Sequence, residues 1–158
     1  MSDAVVELSA FLPNEAATLG FGERLAQVLQ PGLFVALSGE LGSGKTTLAR
    51  GILRGLGYEG KVKSPTYTLV ERYELSRLDL YHFDLYRFKD SRELLGAGFR
   101  DDFDSRNVCL VEWPERAKDL LPVADLSVSL AEERDRDLRP GDQHSPRRLD
   151  RLRPRGDR

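Results

Sequence analysis

The sequence predicts an α/β fold, and three adjacent observations carry that prediction. Leu33–Leu37 is an apolar run with the length of a strand. Gly39–Thr46 then matches the pattern G-x-x-x-x-G-K-T. Leu48, Ile52 and Leu56 recur at every fourth residue, which places them on one face of a helix. A strand before this motif and a helix after it are the context that distinguishes a phosphate-binding loop, or P-loop, from a chance match.

The residue types of this loop suit the binding of a phosphate chain. Glycines permit backbone angles and close approaches that a side chain would block. Free N–H groups at the start of the following helix attract anions. Lys45 can pair with phosphate charge, and the Thr46 hydroxyl can ligate Mg²⁺. The residues predicted to bind a nucleoside triphosphate are Gly39, Glu40, Leu41, Gly42, Ser43, Gly44, Lys45, Thr46 and Thr47.

Two elements are predicted before the loop. Val5–Phe11 alternates weakly between apolar and polar residues and is predicted as a strand. Asn14 is a suitable N-cap for a helix over Glu15–Gln30. The spacing of its apolar residues predicts one buried face, which consists of Phe21, Leu25, Val28 and Leu29.

Further elements are predicted after the helix Lys45–Leu56. Leu69–Leu75 and Leu78–Tyr86 are predicted to form a hairpin. Alternate residues of a strand share a face, so the second strand should carry Tyr81, Phe83 and Leu85 on one face and His82 and Asp84 on the other. The remaining predicted elements are a strand at Val108–Val111, one or two helical turns within Glu115–Leu121 and a last strand at Asp125–Leu130.

Composition limits the classes of protein that the chain can represent. Its 158 residues predict one domain, and its net charge of −2 does not indicate a nucleic-acid or membrane surface. The single cysteine, Cys109, cannot form an internal disulfide and is predicted to pack in the core. The sequence contains neither a secretory signal nor an apolar run near the ~20 residues of a membrane helix, so we expect a cytoplasmic protein that contacts no membrane.

The composition changes at Glu132. Residues 132–158 contain nine arginines, seven acidic residues and three leucines. Such a segment cannot bury enough apolar surface to order itself. We therefore predict a domain over residues 1–131 and an Arg-rich disordered tail over residues 132–158. Electrostatic binding of tRNA phosphates by this tail is an alternative to a solvated extension.

A P-loop protein also needs an acidic residue at the end of a neighbouring strand to hold Mg²⁺. Glu112 directly follows the apolar run Val108–Val111, which is where a buried strand would deliver such a ligand. Asp84 is the competing residue, and we assign it to orient the attacking water or a metal-bound water. The sequence alone also permits the opposite assignment, in which Asp84 holds Mg²⁺ and Glu112 orients the water. His82 is interpreted as a core histidine.

The loop Lys61–Thr68 is rich in hydroxyl groups. Ser64, Thr66 and Thr68 flank Pro65. A loop of this kind can close over a γ-phosphate and bring a hydroxyl or a backbone N–H group to the phosphate or the metal. Thr66 is the predicted contact residue. An ordinary hydroxyl-rich turn is an alternative that the residues permit nearly as well.

Four sequence blocks together resemble one protein family. They are GELGSGKTT, VKSPTYTLVE, YHFDLYR and VCLVEWPER, in this order and at these separations. The P-loop alone indicates only a superfamily, whereas the other three blocks are specific. Over about residues 5–130 the chain resembles TsaE, the small bacterial ATPase of tRNA threonylcarbamoyladenosine biosynthesis.

The resemblance implies a fold and an activity. The implied fold is a P-loop NTPase with a mostly parallel central sheet, an antiparallel hairpin portion and helices on both faces. The implied activity is slow, Mg²⁺-dependent ATP hydrolysis. The implied partners are the two sugar-kinase-fold subunits that transfer the threonylcarbamoyl group to adenosine 37 of ANN-decoding tRNAs. ATP turnover would reset that complex, and the contact with tRNA would be indirect.

The resemblance also implies roles for individual residues. Lys45 would bind phosphate, Thr46 and Glu112 would bind Mg²⁺, and Asp84 would serve hydrolysis and is a further candidate metal ligand. Trp113 would support the site or an interface. The residues implied to contact the base are Glu15, at the start of the first helix, and Arg136 or Arg134, in a segment that departs from the usual family ending.

Two other functions fit a P-loop. A small-molecule or nucleoside kinase would use the same core and a lid that carries arginines, for which Arg100 and Arg106 are the available residues. A GTP-binding switch would need an Asn-Lys-x-Asp segment to read guanine. No such segment occurs in the sequence.

Overall fold

The computed structural model describes residues 7–65, 67–89, 103, 106–132 and 147–154, and for the last range the backbone only. The strands are β1 (Ala10–Leu12), β2 (Phe34–Ser38), β3 (Val70–Glu74), β4 (Asp79–Asp84), β5 (Asn107–Glu112), β6 (Leu126–Glu132) and β7 (Arg147–Pro154). The helices are α1 (Glu15–Ala26), α2 (Lys45–Gly55) and a 3₁₀-helix at Pro114–Ala117. None of the helices in these ranges is long and apolar enough to cross a membrane.

The seven strands form one sheet in the order β1-β7-β6-β2-β5-β4-β3. The four central strands, β6, β2, β5 and β4, run parallel. β3 pairs antiparallel with β4, and β7 pairs antiparallel with both β6 and β1. The predicted α/β class, with a parallel centre and an antiparallel hairpin, is therefore confirmed. The parallel centre matters most for function, because it directs the carboxyl ends of β2, β4, β5 and β6 to the same edge of the sheet.

The two faces of the sheet are covered differently. α1 and α2 pack against each other and against the face that includes Val35, Leu37 and Leu110. The 3₁₀-helix packs on the opposite face, where Phe34 and Ala36 lie. Thus both faces carry a helical segment, but among the described residues the α-helices lie on one face only.

The contact between α1 and α2 is close because small residues line it. A Cβ atom at Gly22 would lie 2.7 Å from the Leu48 carbonyl oxygen, and one at Gly51 would overlap the Leu19 carbonyl oxygen. α1 begins as predicted, since the Asn14 side chain accepts a hydrogen bond of 2.9 Å from the Ala17 N–H group. This packing fixes α2, and with it the start of the P-loop helix.

The predicted end of α1 is wrong. The helix ends at Ala26, and Val28 is 65% exposed although it was predicted to be buried. After Ala26 the backbone changes to i→i−3 hydrogen bonds, in which Val28 and Leu29 bond to Leu25 and Ala26. This tighter winding changes the angle between successive side chains, so that Leu29 stays buried while Val28 turns to solvent.

The prediction of a disordered tail over residues 132–158 is wrong for two parts of that range. Glu132 belongs to β6, and Arg147–Pro154 forms β7, which lies between β6 and β1. Leu149 and Leu152 are three residues apart, so the segment lacks the two-residue alternation by which a strand is predicted from sequence. A register shift opposite Ser129/Leu130 takes up one residue, so that positions 149 and 152 stand opposite the buried residues Leu130 and Val128. Residues 133–146 and 155–158 lie outside the described ranges.

Candidate functional site

The P-loop connects the end of β2 to the start of α2. Gly39, Gly42 and Gly44 have φ angles of 147°, 77° and 105°, which a residue with a side chain adopts only with strain. Gly44 is the N-cap of α2. Because glycine has no side chain, nothing of its own caps the first N–H groups of the helix, and these remain available to an anion. The glycine pattern of the sequence is thus explained by backbone geometry.

Gly39 also lies where no side chain would fit. A Cβ atom at this position would overlap both the Leu130 carbonyl oxygen and the Ser43 hydroxyl oxygen. The first residue of the loop is therefore packed tightly against β6 on one side and against its own loop on the other. Such contacts hold the backbone amides of the loop in place before any ligand binds.

Lys45 is folded into the loop that precedes it. Its Nζ atom donates hydrogen bonds to the Gly39 carbonyl oxygen and, at 2.9 Å, to the Glu40 carbonyl oxygen. Nζ also lies 4.4 Å from the centre of the Trp113 ring. Lys45 is only 5% exposed, and this burial lowers its pKa, although the negative charge of Glu112 opposes the shift. The charge of Lys45 therefore lies at the centre of the loop, among carbonyl and aromatic groups.

Thr46 and Glu112 meet at the start of α2. The Thr46 hydroxyl donates to Glu112 Oε1 over 3.2 Å. Glu112 ends β5 and is 2% exposed. Its other oxygen, Oε2, lies 2.6 Å from Nε2 of His82, a fully buried residue of β4. The structure thus joins α2, β5 and β4 through one carboxylate.

Asp84 lies beside Glu112 at the end of β4. The two residues are direct partners in the parallel register of β4 and β5. Asp84 Oδ1 accepts a hydrogen bond of 3.0 Å from the Tyr86 N–H group. Burial raises the pKa of Asp84, and the charge of Glu112 adds to this rise, whereas the hydrogen bond from Tyr86 acts against it. Two carboxylates and the start of α2 are therefore adjacent.

These residues line one cleft of about 420 Å³, which lies within the usual size of a small-molecule site. The residues that the sequence predicted for catalysis or metal binding all line this cleft, namely Lys45, Thr46, Asp84 and Glu112. Its other lining residues are Leu41, Gly42, Gly44, Thr47, Ser64, Tyr86, Arg87 and Trp113. The long-range part of the predicted site is thus assembled in one place.

Other candidate residues lie elsewhere. Glu15 forms an ion pair of 3.7 Å with Arg50 between α1 and α2, and it is not among the residues that line the cleft. The Thr68 hydroxyl donates to Glu71 over 3.0 Å. Thr66, Arg100, Arg134 and Arg136 lie outside the described residues.

Three residues near the cleft were not assigned to it from the sequence. His82 contacts Glu112, although it was interpreted only as a core residue. Tyr86 packs on Trp113 with 4.9 Å between ring centres, and the Arg87 guanidinium lies 4.4 Å from the centre of the exposed Tyr67 ring. The predicted alternation of β4 had placed His82 on the same face as Asp84, and that shared face was the available signal.

The oxygen atoms in the cleft fit a magnesium ion. Mg²⁺ prefers oxygen ligands, and it is usually held by one or two carboxylates together with phosphate oxygens and water. Thr46 and Glu112 supply a hydroxyl and a carboxylate, with the Asp84 carboxylate adjacent. In the part of the chain that the structure describes, no three His, Cys, Asp or Glu residues form a metal-binding cluster by themselves.

Comparison with known proteins gives a consistent result. A family model described as "Threonylcarbamoyl adenosine biosynthesis protein TsaE" matches residues 12–139. A tRNA threonylcarbamoyladenosine biosynthesis protein TsaE from Haemophilus influenzae is 46% identical over 128 residues, which cover 78% of this chain and 81% of that protein. The protein of the same name from Bacillus subtilis is 38% identical over 115 residues, which cover 73% of this chain and 72% of that protein.

A solved structure agrees with these matches. The crystal structure of YdiB from Bacillus subtilis superposes on this chain with a TM-score of 0.74 and 28% sequence identity. The superposition covers 96% of this chain and 88% of that one. The family model also covers the P-loop, both carboxylates of the cleft and His82. On the length of these matches and on the shared fold, the chain belongs to the TsaE family of threonylcarbamoyl adenosine biosynthesis proteins.

Proposed function

We propose that this chain binds ATP with Mg²⁺ in the cleft and hydrolyses it in support of tRNA threonylcarbamoyladenosine formation. The observation that carries the proposal is the contact between Thr46, at the start of the P-loop helix, and Glu112, at the end of β5. A P-loop and a strand-end carboxylate are the two halves of a nucleoside triphosphatase site. Asp84 stands beside them as a third functional group.

The phosphate chain would lie along the P-loop. The glycine-rich backbone and the uncapped start of α2 offer N–H groups to phosphate oxygens. Lys45 would give its charge to the phosphates in exchange for the two loop carbonyls that it now contacts. Because its Nζ atom is already inside the loop, only a small movement of a flexible side chain is required. Glu40, Leu41, Ser43 and Thr47 would frame the same ligand.

Thr46 and Glu112 are the residues that we assign to the metal, with Asp84 as the neighbouring candidate. Mg²⁺ supplies neutralisation of phosphate charge when it is bound. The Thr46 hydroxyl now donates to Glu112. Release of that hydrogen bond would direct the hydroxyl oxygen and Glu112 Oε1 to the same point.

Asp84 is the residue that we assign to the hydrolytic water. Phosphoryl transfer depends on positioning and charge stabilisation more than on covalent catalysis. A carboxylate that lines the cleft can orient a water molecule through a hydrogen bond. Direct coordination of the metal by Asp84 is the alternative, with Glu112 then acting through water.

The cellular role rests on family membership. The names of the relatives concern tRNA threonylcarbamoyladenosine biosynthesis. We propose that the chain acts in the cytoplasm with two sugar-kinase-fold subunits that modify adenosine 37 of ANN-decoding tRNAs. Its ATP hydrolysis would reset that complex between cycles, without direct contact between the chain and the tRNA base. A partner could also complete the cleft near Ser64, which is exposed at its rim.

Release of inorganic phosphate tests the proposed reaction. The purified chain is incubated with ATP, with and without Mg²⁺, and both ADP and inorganic phosphate are measured. We expect slow, Mg²⁺-dependent release of both products in equal amounts and loss of this release in Lys45→Ala. Equal rates in the two proteins would contradict the proposed site. Formation of ADP without inorganic phosphate, with transfer of the phosphoryl group to an added nucleoside or small molecule, would favour the kinase alternative.

A further inference from the structure

His82 is a buried polar residue that the roles assigned so far leave without a function. It lies in β4 with no exposed surface, on the face of the strand that also carries Leu80. Its Nε2 atom lies 2.6 Å from Glu112 Oε2, and the Glu112 side chain is itself 3% exposed. A polar side chain in such a position costs free energy unless its hydrogen bond compensates.

The hydrogen bonds identify the tautomer of the imidazole. Among the described residues, His82 Nδ1 has no hydrogen-bond partner. A proton on Nδ1 would therefore be a buried donor without an acceptor, which is more costly than a buried lone pair. A proton on Nε2, in contrast, points at a carboxylate oxygen. The geometry thus favours a ring whose Nε2–H group donates to Glu112 Oε2 and whose Nδ1 atom carries no proton.

The two oxygens of Glu112 consequently have different partners. Oε2 accepts from His82, and Oε1 accepts from the Thr46 hydroxyl at 3.2 Å. Thr46 Oγ1 is farther from Oε2, at 3.5 Å. The terminal torsion of a glutamate is broad and restricts the carboxylate plane little by itself. The hydrogen bond from β4 therefore fixes the orientation of the Glu112 carboxylate, with one oxygen toward His82 and the other toward Thr46.

We propose that His82 is a positioning residue for the metal site: its Nε2–H group holds Glu112 Oε2 and so presents Oε1 beside Thr46 to the cation. The proposal rests on the proposed function, because it needs a cation in the cleft. It extends that function by naming a residue that touches neither nucleotide nor metal. Partners of this kind, behind a metal ligand, commonly contribute about 10–100-fold in metal affinity or activity.

The tautomer can be tested without a nucleotide. The chain has two histidines, His82 and His144, so ¹⁵N-labelled histidine gives two sets of ring resonances. The variant His144→Gln assigns the set that belongs to His82. We expect the proton of the His82 ring on Nε2. A proton on Nδ1, or equal populations of the two tautomers, would overturn the proposal.

Substitution tests the link to the cation. Binding of N-methylanthraniloyl-ADP is titrated with Mg²⁺ in the intact chain, in His82→Leu, which has no donor, and in His82→Gln, whose amide restores one. We expect His82→Leu to need about 10–100-fold more Mg²⁺ for half-maximal enhancement of binding, with affinity in EDTA unchanged within about twofold. His82→Gln should need an amount of Mg²⁺ close to that of the unsubstituted chain.

Each outcome of this titration has one meaning. Equal Mg²⁺ requirements in all three proteins, or loss of affinity in EDTA as well, would show that His82 is only a core residue. If His82→Leu does not fold, as judged by thermal unfolding, a weak Mg²⁺ response in a folded His82→Gln overturns the proposal. If the unsubstituted chain binds no probe at all, the proposed function fails and the positioning role of His82 fails with it, whereas normal binding with equal Mg²⁺ requirements overturns the positioning role alone.

Discussion

The Thr46 hydroxyl donates to Glu112 Oε1 over 3.2 Å, although the two residues are 66 positions apart in the chain. The parallel pairing of β2 with β5 makes this contact, because Leu37 and Glu112 are register partners at the carboxyl ends of the two strands. The P-loop leaves β2 at that edge, so its helix begins beside the carboxylate. The site is therefore a consequence of strand order.

Lys45→Ala should weaken nucleotide binding. A charge-assisted hydrogen bond contributes about 1.5–3 kcal/mol, so we expect affinity for ADP or ATP to fall by roughly 10–100-fold. Isothermal titration calorimetry measures this change. Lys118→Ala is the matched control, because Lys118 is exposed and follows the 3₁₀-helix on the opposite face of the sheet. An equal loss of affinity in both variants would show that Lys45 does not bind the phosphates.

Glu112→Gln and Asp84→Asn should separate metal binding from hydrolysis. Glu112 touches Thr46, so its substitution should abolish most of the enhancement of nucleotide binding by Mg²⁺. Asp84→Asn should keep that enhancement and reduce turnover by about 10²–10⁴-fold, the usual contribution of a proton-transfer residue. Mg²⁺ titrations and single-turnover rates give the two quantities. If Asp84→Asn lost the enhancement by Mg²⁺ while Glu112→Gln kept it, Asp84 would be the metal ligand and Glu112 the residue that serves hydrolysis.

Asp84→Asn should also stabilise the protein at neutral pH. A carboxyl group whose pKa is raised by folding binds its proton more tightly when folded, so ionisation lowers stability above the ordinary aspartate pKa of 3.8. Asparagine can still accept the hydrogen bond from Tyr86. We therefore expect a higher melting temperature for Asp84→Asn than for the unsubstituted chain at pH 7. The difference should shrink toward zero as the pH falls to the unfolded pKa.

The control for this measurement is Asp119→Asn, since Asp119 is exposed. Substitutions at such positions usually change stability by less than about 0.5 kcal/mol. A stability gain for Asp84→Asn that is the same at pH 4 and pH 7 would contradict the electrostatic explanation. A destabilised variant would mean that the carboxylate of Asp84 contributes to folding despite its burial.

Two glycines in helices should respond to alanine with opposite signs. Gly51→Ala should destabilise the chain by about 1–3 kcal/mol, because the new methyl group would overlap the Leu19 carbonyl oxygen between α1 and α2. Gly20→Ala should stabilise it by up to about 1 kcal/mol, because alanine favours helix and no atom of the described residues beyond the neighbouring helical turns lies within 4 Å of the new methyl group. Urea unfolding measures both. If both substitutions changed the free energy of unfolding in the same direction, the close contact between α1 and α2 at Gly51 would be contradicted.

Removal of residues 141–158 should destabilise the sheet. This deletion takes away β7, which pairs with β6 and β1. Lost backbone hydrogen bonds are worth about 0.5–1.5 kcal/mol each, so we expect a loss of at least about 2 kcal/mol. Removal of residues 155–158, which follow β7, is the control and should change stability little. If the chain without residues 141–158 were as stable as the full chain, the prediction of an unstructured tail would be supported instead.

The local parts of the fold could be predicted from the sequence. β2, the P-loop and α2 follow one another in the chain, so their patterns carry the information directly. The hairpin of β3 and β4 is local too, and its predicted pairing is confirmed. Glu112 was also found locally, because a charged residue that ends an apolar run marks the carboxyl end of a buried strand.

The rest depends on pairings that a sequence does not display. The contact of His82 with Glu112 needs the parallel register of β4 and β5, which sets His82 opposite Leu110 and Asp84 opposite Glu112. β7 was missed because its register shift breaks the two-residue alternation. The burial of Val28 was mispredicted because the helical winding changes after Ala26.

The most direct test of the account is the number of threonylcarbamoyl groups transferred to tRNA per transferase complex. The two sugar-kinase-fold subunits are supplied with tRNA, threonylcarbamoyl donor and MgATP, either with this chain or with its Lys45→Ala variant. We predict many transfers per complex with the unsubstituted chain and no more than about one with the variant, because the proposed resetting by ATP hydrolysis would require the P-loop lysine. Equal, repeated transfer with both chains would contradict the claim that ATP turnover at this site serves tRNA modification.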